Sequence, residues 1–198
     1  MPDSFDLAAL VASRICHDLI SPIGAIGNGV ELLAMERGTP SPEMQLLSDS
    51  VANATAQLRF LRIAFGAAGE NQRIGRAEVA SVLADLDRGG RIRHGWTSAE
   101  DLSRREVRLV FLLAACAQSA LSHGGRVEVR QDAAGWSLRA EGPRLKIDPA
   151  LWDALAQRTL PEGLGSAQLH FALAAGDLAR QGRSLGIEIG EATLQLTL

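Results

Sequence analysis

The chain has 198 residues, 46% of them apolar and 22% charged, and a formal net charge of −3. This is the balance of a globular protein of one large or two small domains, and no global charge draws it to nucleic acid or to an anionic membrane surface. Aromatic residues are only 4% of the chain and interleave with no basic patch, so nucleic acid is not an expected partner. No basic region precedes an apolar run at the N-terminus, and no stretch reads as long and apolar enough to span a bilayer. The expectation is a cytoplasmic protein without a membrane partner. Cys16 and Cys116 lie in separate apolar helical patterns without zinc-ligand spacing and read as reduced core residues.

Residues 5–35 read as one helix. At ~100° per residue, Ile15, Leu19, Ile23, Ile26, Val30 and Leu33 fall on one side, and His17, Ser21, Gly24, Asn28 and Glu31 on the other. His17 should therefore be exposed, with small neighbours along its face. Pro22 removes a helical hydrogen bond, at ~3 kcal/mol. Ser21 capping a new helix that starts at Pro22 is the alternative, but the apolar stripe keeps its phase across the proline, which favours a single bent helix. "ERGTPSPEM" is a turn in which Ser41 can cap and Pro42 suits the first helical position. From there Met44, Leu47, Val51, Ala54, Leu58, Leu61 and Phe65 form a heptad-like stripe ending at Gly66. Two such helices make an antiparallel hairpin, and one hairpin cannot bury both stripes. Two hairpins from two chains can, as a four-helix bundle, so residues 5–65 predict a homodimer. The other option is that the stripes pack on the second half of the same chain.

"GAAGENQRIG" (66–75) reads as a linker. Beyond it a helix is expected at 76–87, a short strand at 91–96, and a strong helix at 103–122, capped by Ser103 and stopped by Gly124. Strands follow at 126–131, 136–141 and 145–147, helices at 149–157 and 165–180, and two final strands at 184–189 and 192–198. The fold class is α+β, with a helical hairpin over 1–68 and an α/β unit over 73–198. His94, His123 and His170 read as structural.

"HDLISPIGAIGNGVELL" resembles the H-box of two-component histidine kinases, whose core is His, an acid, Leu, two variable residues and Pro: here His17, Asp18, Leu19 and Pro22. The element order of 103–198 resembles the GHKL (Bergerat-type) ATP-binding domain of those kinases. The departures from it are specific. Ala115 and Ser119 stand where two asparagines belong, one of them a Mg²⁺ ligand, and Ala140 replaces the aspartate that reads adenine. Gly142 is kept, Arg144 replaces the next glycine, and "GLGS" (163–166) keeps a trace of a later box. A missing carboxylate forfeits a charge-assisted hydrogen bond of ~1.5–3 kcal/mol, and a missing metal ligand removes the neutraliser of the phosphates. A kinase-like hairpin joined to a unit that does not use ATP is similar to the ChpT-type histidine phosphotransferases of alphaproteobacteria.

That resemblance implies a homodimer built on a four-helix bundle with a degenerate α/β sandwich attached. It implies a relay of phosphoryl groups between receiver domains, from a hybrid kinase to CtrA-like and CpdR-like response regulators of the cell cycle. No cofactor is expected in this chain; Mg²⁺ is expected on the receiver. His17 would be the phosphoacceptor. Imidazole in water is largely neutral at pH 7 and attacks as it stands, here through Nε2. Asp18 would orient the ring or take its proton, and Arg14 would balance phosphate charge. Ser21, one turn on, sits where phosphatase-competent kinases carry a polar residue. The receiver's dock would comprise Arg14, Ser21, Gly24, Asn28 and Glu31, with Ile20 and Leu32 at its edges. Two other readings stand beside this one: an active histidine kinase with a diverged ATP site, and a non-catalytic dimeric scaffold that binds receivers.

Overall fold

The computed structural model describes residues 4–37, 41–160 and 163–198. Helix α1 (Ser4–Arg37) runs unbroken through Pro22. Helix α2 (Pro42–Phe65) begins as its sequence requires: the Ser41 side chain accepts a hydrogen bond from the Met44 amide (3.3 Å), and Pro42 occupies the first turn, where its missing N–H costs nothing. Gly66 closes this helix, its amide bonded to the Arg62 carbonyl. The expected turn lies partly at 38–40, outside the described residues.

The α/β unit follows. A three-residue strand β1 (Arg73–Gly75) leads into α3 (Arg76–Gly89). Strands β2 (Ile92–Thr97) and β3 (Asp101–Ser103), helix α4 (Arg104–Ala120), strands β4 (Gly125–Asp132) and β5 (Gly135–Glu141), helices α5 (Pro149–Gln157) and α6 (Leu169–Arg180), and strands β6 (Gly186–Ile189) and β7 (Thr193–Thr197) complete it. The main sheet has the order β2-β4-β5-β7-β6, with β2 and β4 parallel and the other pairs antiparallel. The fold is thus α+β.

The segment 66–75 is not wholly a linker, because β1 pairs antiparallel with β3, Ile74 opposite Leu102. Both strands are too short to show a period of two. Residues 145–147 are not a strand. Pro143 precedes them, and the Lys146 amide instead bonds to the Ala120 carbonyl at the end of α4 (2.8 Å). Leu145 and Ile147 still pack inward, which is why they read as strand-like. Ser103 precedes α4 without a side-chain capping bond. Gly124, at φ +83°, ends the connection after α4; a Cβ there would lie 2.6 Å from the Arg91 carbonyl. Gly142 has its own packing reason, since a Cβ would sit 2.7 Å from Leu121 and 2.9 Å from the Gly124 carbonyl.

The core does not respect the hairpin boundary. Phe60, Ile63 and Ala64 of α2 belong to the same buried cluster as Val79, Leu83, Phe111 and Leu113. The Phe60 and Phe111 rings stack with centroids 5.0 Å apart. The Arg104 side chain donates to the Arg62 carbonyl (2.9 Å), adding a second donor from outside the helix to the one that Gly66 supplies. The α2 stripe is therefore offset from the expected one: Ala56, Phe60, Ile63 and Ala64 are buried, while Leu47 and Leu61 are exposed. At its C-terminal half, α2 packs on the second half of the same chain.

The α1 stripe divides in two. Ala9, Cys16 and Val30 are buried, and at Gly27 a Cβ would lie 3.1 Å from Val51, so this is the face that meets α2. Ile15, Leu19, Ile26 (57% exposed) and Leu33 face outward. Two apolar faces on one helix also overturn the expectation that no segment has membrane-spanning character. Leu7–Met35, with mean hydropathy 1.3, is long and apolar enough by length and composition to cross a membrane, although Arg14, His17 and Asp18 lie within it.

Candidate functional site

His17 stands on the polar side of α1 with 82% of its side chain exposed. The preceding residue, Cys16, points the other way and is buried against α2. One step of ~100° separates the two directions, so helix geometry alone sets the histidine outside the core. Asp18 links two neighbours: its Oδ2 accepts from Arg14 Nε (2.7 Å), and its Oδ1 lies 3.2 Å from His17 Nδ1. The first contact is an i,i+4 pair across one helical turn. The His17 hydrogen bond holds the Asp18 carboxyl below its usual range, Arg14 adds to this, and partial desolvation opposes it. The carboxylate is therefore the acceptor. In the tautomer with its proton on Nδ1 this contact is a hydrogen bond to that carboxylate, and Nε2 then holds the free lone pair.

His17 also forms one rim of a cleft of about 610 Å³ between the hairpin and the α/β unit. Ser13, Ile20 and Ser21 of α1 line it with His17, as do Arg62 of α2 and Arg73, Glu78 and Arg104 of the α/β unit. Ser13 Oγ accepts from the Ala67 amide (2.9 Å), tying α1 to the chain leaving α2. Sequence reasoning missed the lining residues beyond α1. Arg62 lies one step from the α2 stripe and reads as a solvated charge, and the fold-back of α2 onto the second unit has no local signature.

Of the expected docking residues, Ile20 and Ser21 are brought to the cleft with His17. Arg14 is tied to Asp18. Gly24, Asn28, Glu31 and Leu32 are exposed farther along α1. At 1.5 Å per residue, Glu31 lies ~21 Å from His17 along the helix axis. A Cβ at Gly24 would meet nothing within 4 Å, so that stretch of helix is open.

The remaining histidines and cysteines stand apart. His94 lies in β2 with its side chain 6% exposed, Nδ1 2.6 Å from Asp87 Oδ1 and Nε2 2.8 Å from the Gln118 side-chain nitrogen. His123 contacts Ser122, and His170 packs on Phe171 with ring centroids 4.9 Å apart. Burial raises the pKa of the Cys16 and Cys116 thiols, keeping them protonated. Among the described residues, no group of three His, Cys, Asp or Glu side chains is arranged to hold a metal ion.

An exposed histidine beside an adjacent carboxylate, on a helical hairpin joined to an α+β unit, is an arrangement suited to phosphotransfer. Residues 76–193 match the family model "Histidine phosphotransferase C-terminal domain". The chain is 37% identical over 152 residues to the protein phosphotransferase ChpT of Brucella abortus (strain 2308), covering 74% of this chain and 72% of that one. A solved structure, described as a bacterial phosphotransferase at 1.7 Å, superposes with a TM-score of 0.70 at 30% identity, over 99% of this chain and 97% of the other. The chain belongs to the ChpT-type histidine phosphotransferase family.

Proposed function

We propose that this protein is a phosphorelay intermediate in which His17 takes a phosphoryl group from the aspartyl phosphate of one receiver domain and gives it to the aspartate of another, without using ATP. The observation that carries this reading is the exposed His17 ring, anchored at Nδ1 by Asp18 and open at Nε2. In the forward step the Nε2 lone pair attacks phosphorus in line with the aspartyl oxygen. An N–P bond forms, the P–O bond breaks, and the bond's electrons leave with the receiver's carboxylate. The ring becomes a phosphoimidazolium whose Nδ1 proton stays on the hydrogen bond to Asp18, so the carboxylate stabilises the charge that develops. The return step reverses each change.

Several features support independence from ATP. Ala140 is fully buried in β5 and offers only a methyl group where a nucleotide-binding unit would need a carboxylate. Ser119 Oγ donates back to the Cys116 carbonyl (2.7 Å) in its own helix. Leu145 and Ile147 pack on the core next to Gly142. No metal is assigned to this chain; Mg²⁺ belongs to the receiver, whose own aspartate it serves. The outward apolar face of α1, with Leu47 and Leu61 of α2, supports a homodimer in which two hairpins form a four-helix bundle. CtrA-like and CpdR-like receivers in the cytoplasm are the acceptors to try first, with a hybrid-kinase receiver as donor. Dephosphorylation of a receiver through Ser21 is tested by Ser21→Ala in a receiver-decay assay.

The test is acid-labile label on the purified protein, wild type and His17→Ala, given ATP alone or a phosphorylated receiver. Label from the receiver only, and only with His17 present, is the expected result. Label from ATP alone would make the protein a kinase. No label from any of a panel of receivers would leave the scaffold reading.

A further inference from the structure

The cleft that His17 rims carries more positive than negative charge among its lining side chains. Arg62, Arg73 and Arg104 line it against one carboxylate, Glu78. Arg73 is committed elsewhere, bonded through Nε to Asp101 (2.9 Å). Arg104 forms the floor: it is 6% exposed, spends one terminal nitrogen on the Arg62 carbonyl, and among the described residues has no partner at Nη1. Arg62 differs from both. Its side chain is half exposed, and among the described residues its ion pair is a loose 3.7 Å contact with the equally exposed Glu78.

We propose that Arg62 is the phosphoryl-binding residue of this site: when His17 is phosphorylated, the Arg62 guanidinium leaves Glu78 and holds the phosphoryl oxygens, over a floor kept positive by Arg104. This deepens the relay reading and rests on His17 being the phosphoacceptor. Arginine suits the role because its planar fork matches two phosphoryl oxygens and is always charged. Glu78 then acts as a stand-in anion, keeping Arg62 at the cleft while the histidine is bare. Two electrostatic effects agree with this placement. The Arg62 charge reaches Cys16, the neighbour of His17, and opposes the rise that burial imposes on that thiol. Burial first, and then the nearby Arg108 and Arg62 charges, push Arg104 down to about 10, as expected where positive charge is under-compensated.

The experiment uses the full-length protein phosphorylated at His17 with phosphoramidate, which requires no receiver. The ³¹P resonance of the phosphohistidine is followed against pH. A bound guanidinium favours the dianion, so Arg62→Ala should raise the titration midpoint by about half a unit or more, Arg62→Lys should restore part of it, and Glu78→Gln should lower it. In parallel, Arg62→Ala should slow the maximal rate of transfer from an acetyl-phosphate-charged receiver about tenfold or more, with a smaller effect on the concentration for half-maximal rate. Unchanged midpoints in Arg62→Ala and Glu78→Gln, with transfer intact, overturn the assignment and leave the relay standing. Shifted midpoints with no receiver able to transfer would overturn the relay and leave the anion seat. Removing Arg62 disturbs little else, because its backbone carbonyl, not its side chain, bonds Arg104.

Discussion

Asp177 is the anion of a buried ion pair with Arg108, and its replacement gives a direct measure of what holds the α/β unit together. It lies in α6 with a side chain 4% exposed, paired with Arg108 of α4, itself 6% exposed, and with Arg180 one turn on. Among the described residues, the Arg108 guanidinium has no hydrogen-bond partner at Nε or at its second terminal nitrogen. Asp177→Ala would leave that cation buried without compensation. Breaking a buried pair in this way costs about 3–5 kcal/mol, a large part of the ~5–15 kcal/mol that holds a typical domain folded. For a chain of this size the corresponding fall in Tm is on the order of 10 °C. Urea unfolding followed by circular dichroism measures the loss. The double variant Arg108→Met/Asp177→Leu should recover most of it, because two apolar side chains remove the desolvation penalty along with the attraction. A loss of less than about 1 kcal/mol for Asp177→Ala would refute the reasoning, since it would mean that Arg108 finds water or another partner at little cost.

Three further outcomes are expected. Gly24→Trp should slow receiver transfer in a rapid-mixing assay without lowering Tm, since a Cβ at that position is unobstructed within the chain; an unchanged rate would remove Gly24 from the dock. Ile26→Asp combined with Leu19→Asp should convert a dimer to a monomer in analytical ultracentrifugation while leaving the helical circular dichroism signal of the α/β unit in place, because both residues lie on the outward face of α1. His170 is held neutral by burial, with its ring Nε2 unpartnered, so its folded pKa lies below the ordinary imidazole value of about 6.5. The unfolded chain then binds the extra proton more readily, and stability, at its full value above about pH 6.5, falls as the pH drops through that value toward the lowered folded pKa. His170→Phe should flatten this part of the stability–pH curve; a curve identical to wild type would show that other groups set it.

The helices and the main strands were legible because each has a strong local cause: a stripe, a cap, or a glycine at a turn. Pro22 is an instructive case, since the stripe's phase on either side outweighed the local penalty and α1 is continuous. What was not legible depends on pairing between distant segments. β1 and β3 exist only through each other, and nothing within three residues marks them. Residues 145–147 alternate like a strand, but their backbone is used to close the end of α4. Leu61 and Phe60 exchange roles because the α2 face is chosen by α3 and α4 rather than by α1 alone. At the site, the group on α1 (Arg14, His17, Asp18) could be assembled from helical spacing. Arg62, Glu78 and Arg104 come from three separate elements, and only the folded chain brings them to the same cleft.

The sharing of Phe60, Ile63 and Ala64 between hairpin and α/β unit fixes more than stability. To swing the second unit as a body relative to α2 would bring these side chains back into water, at about 1.5–3 kcal/mol for each of the two large ones. The junction therefore behaves as a weld rather than a hinge. The gap beside His17 has a set width before any visitor arrives, and little ordering remains to be done when one does. On the proposed relay, a receiver would be admitted by fitting a mould already cast, which suits brief encounters that must end as readily as they begin.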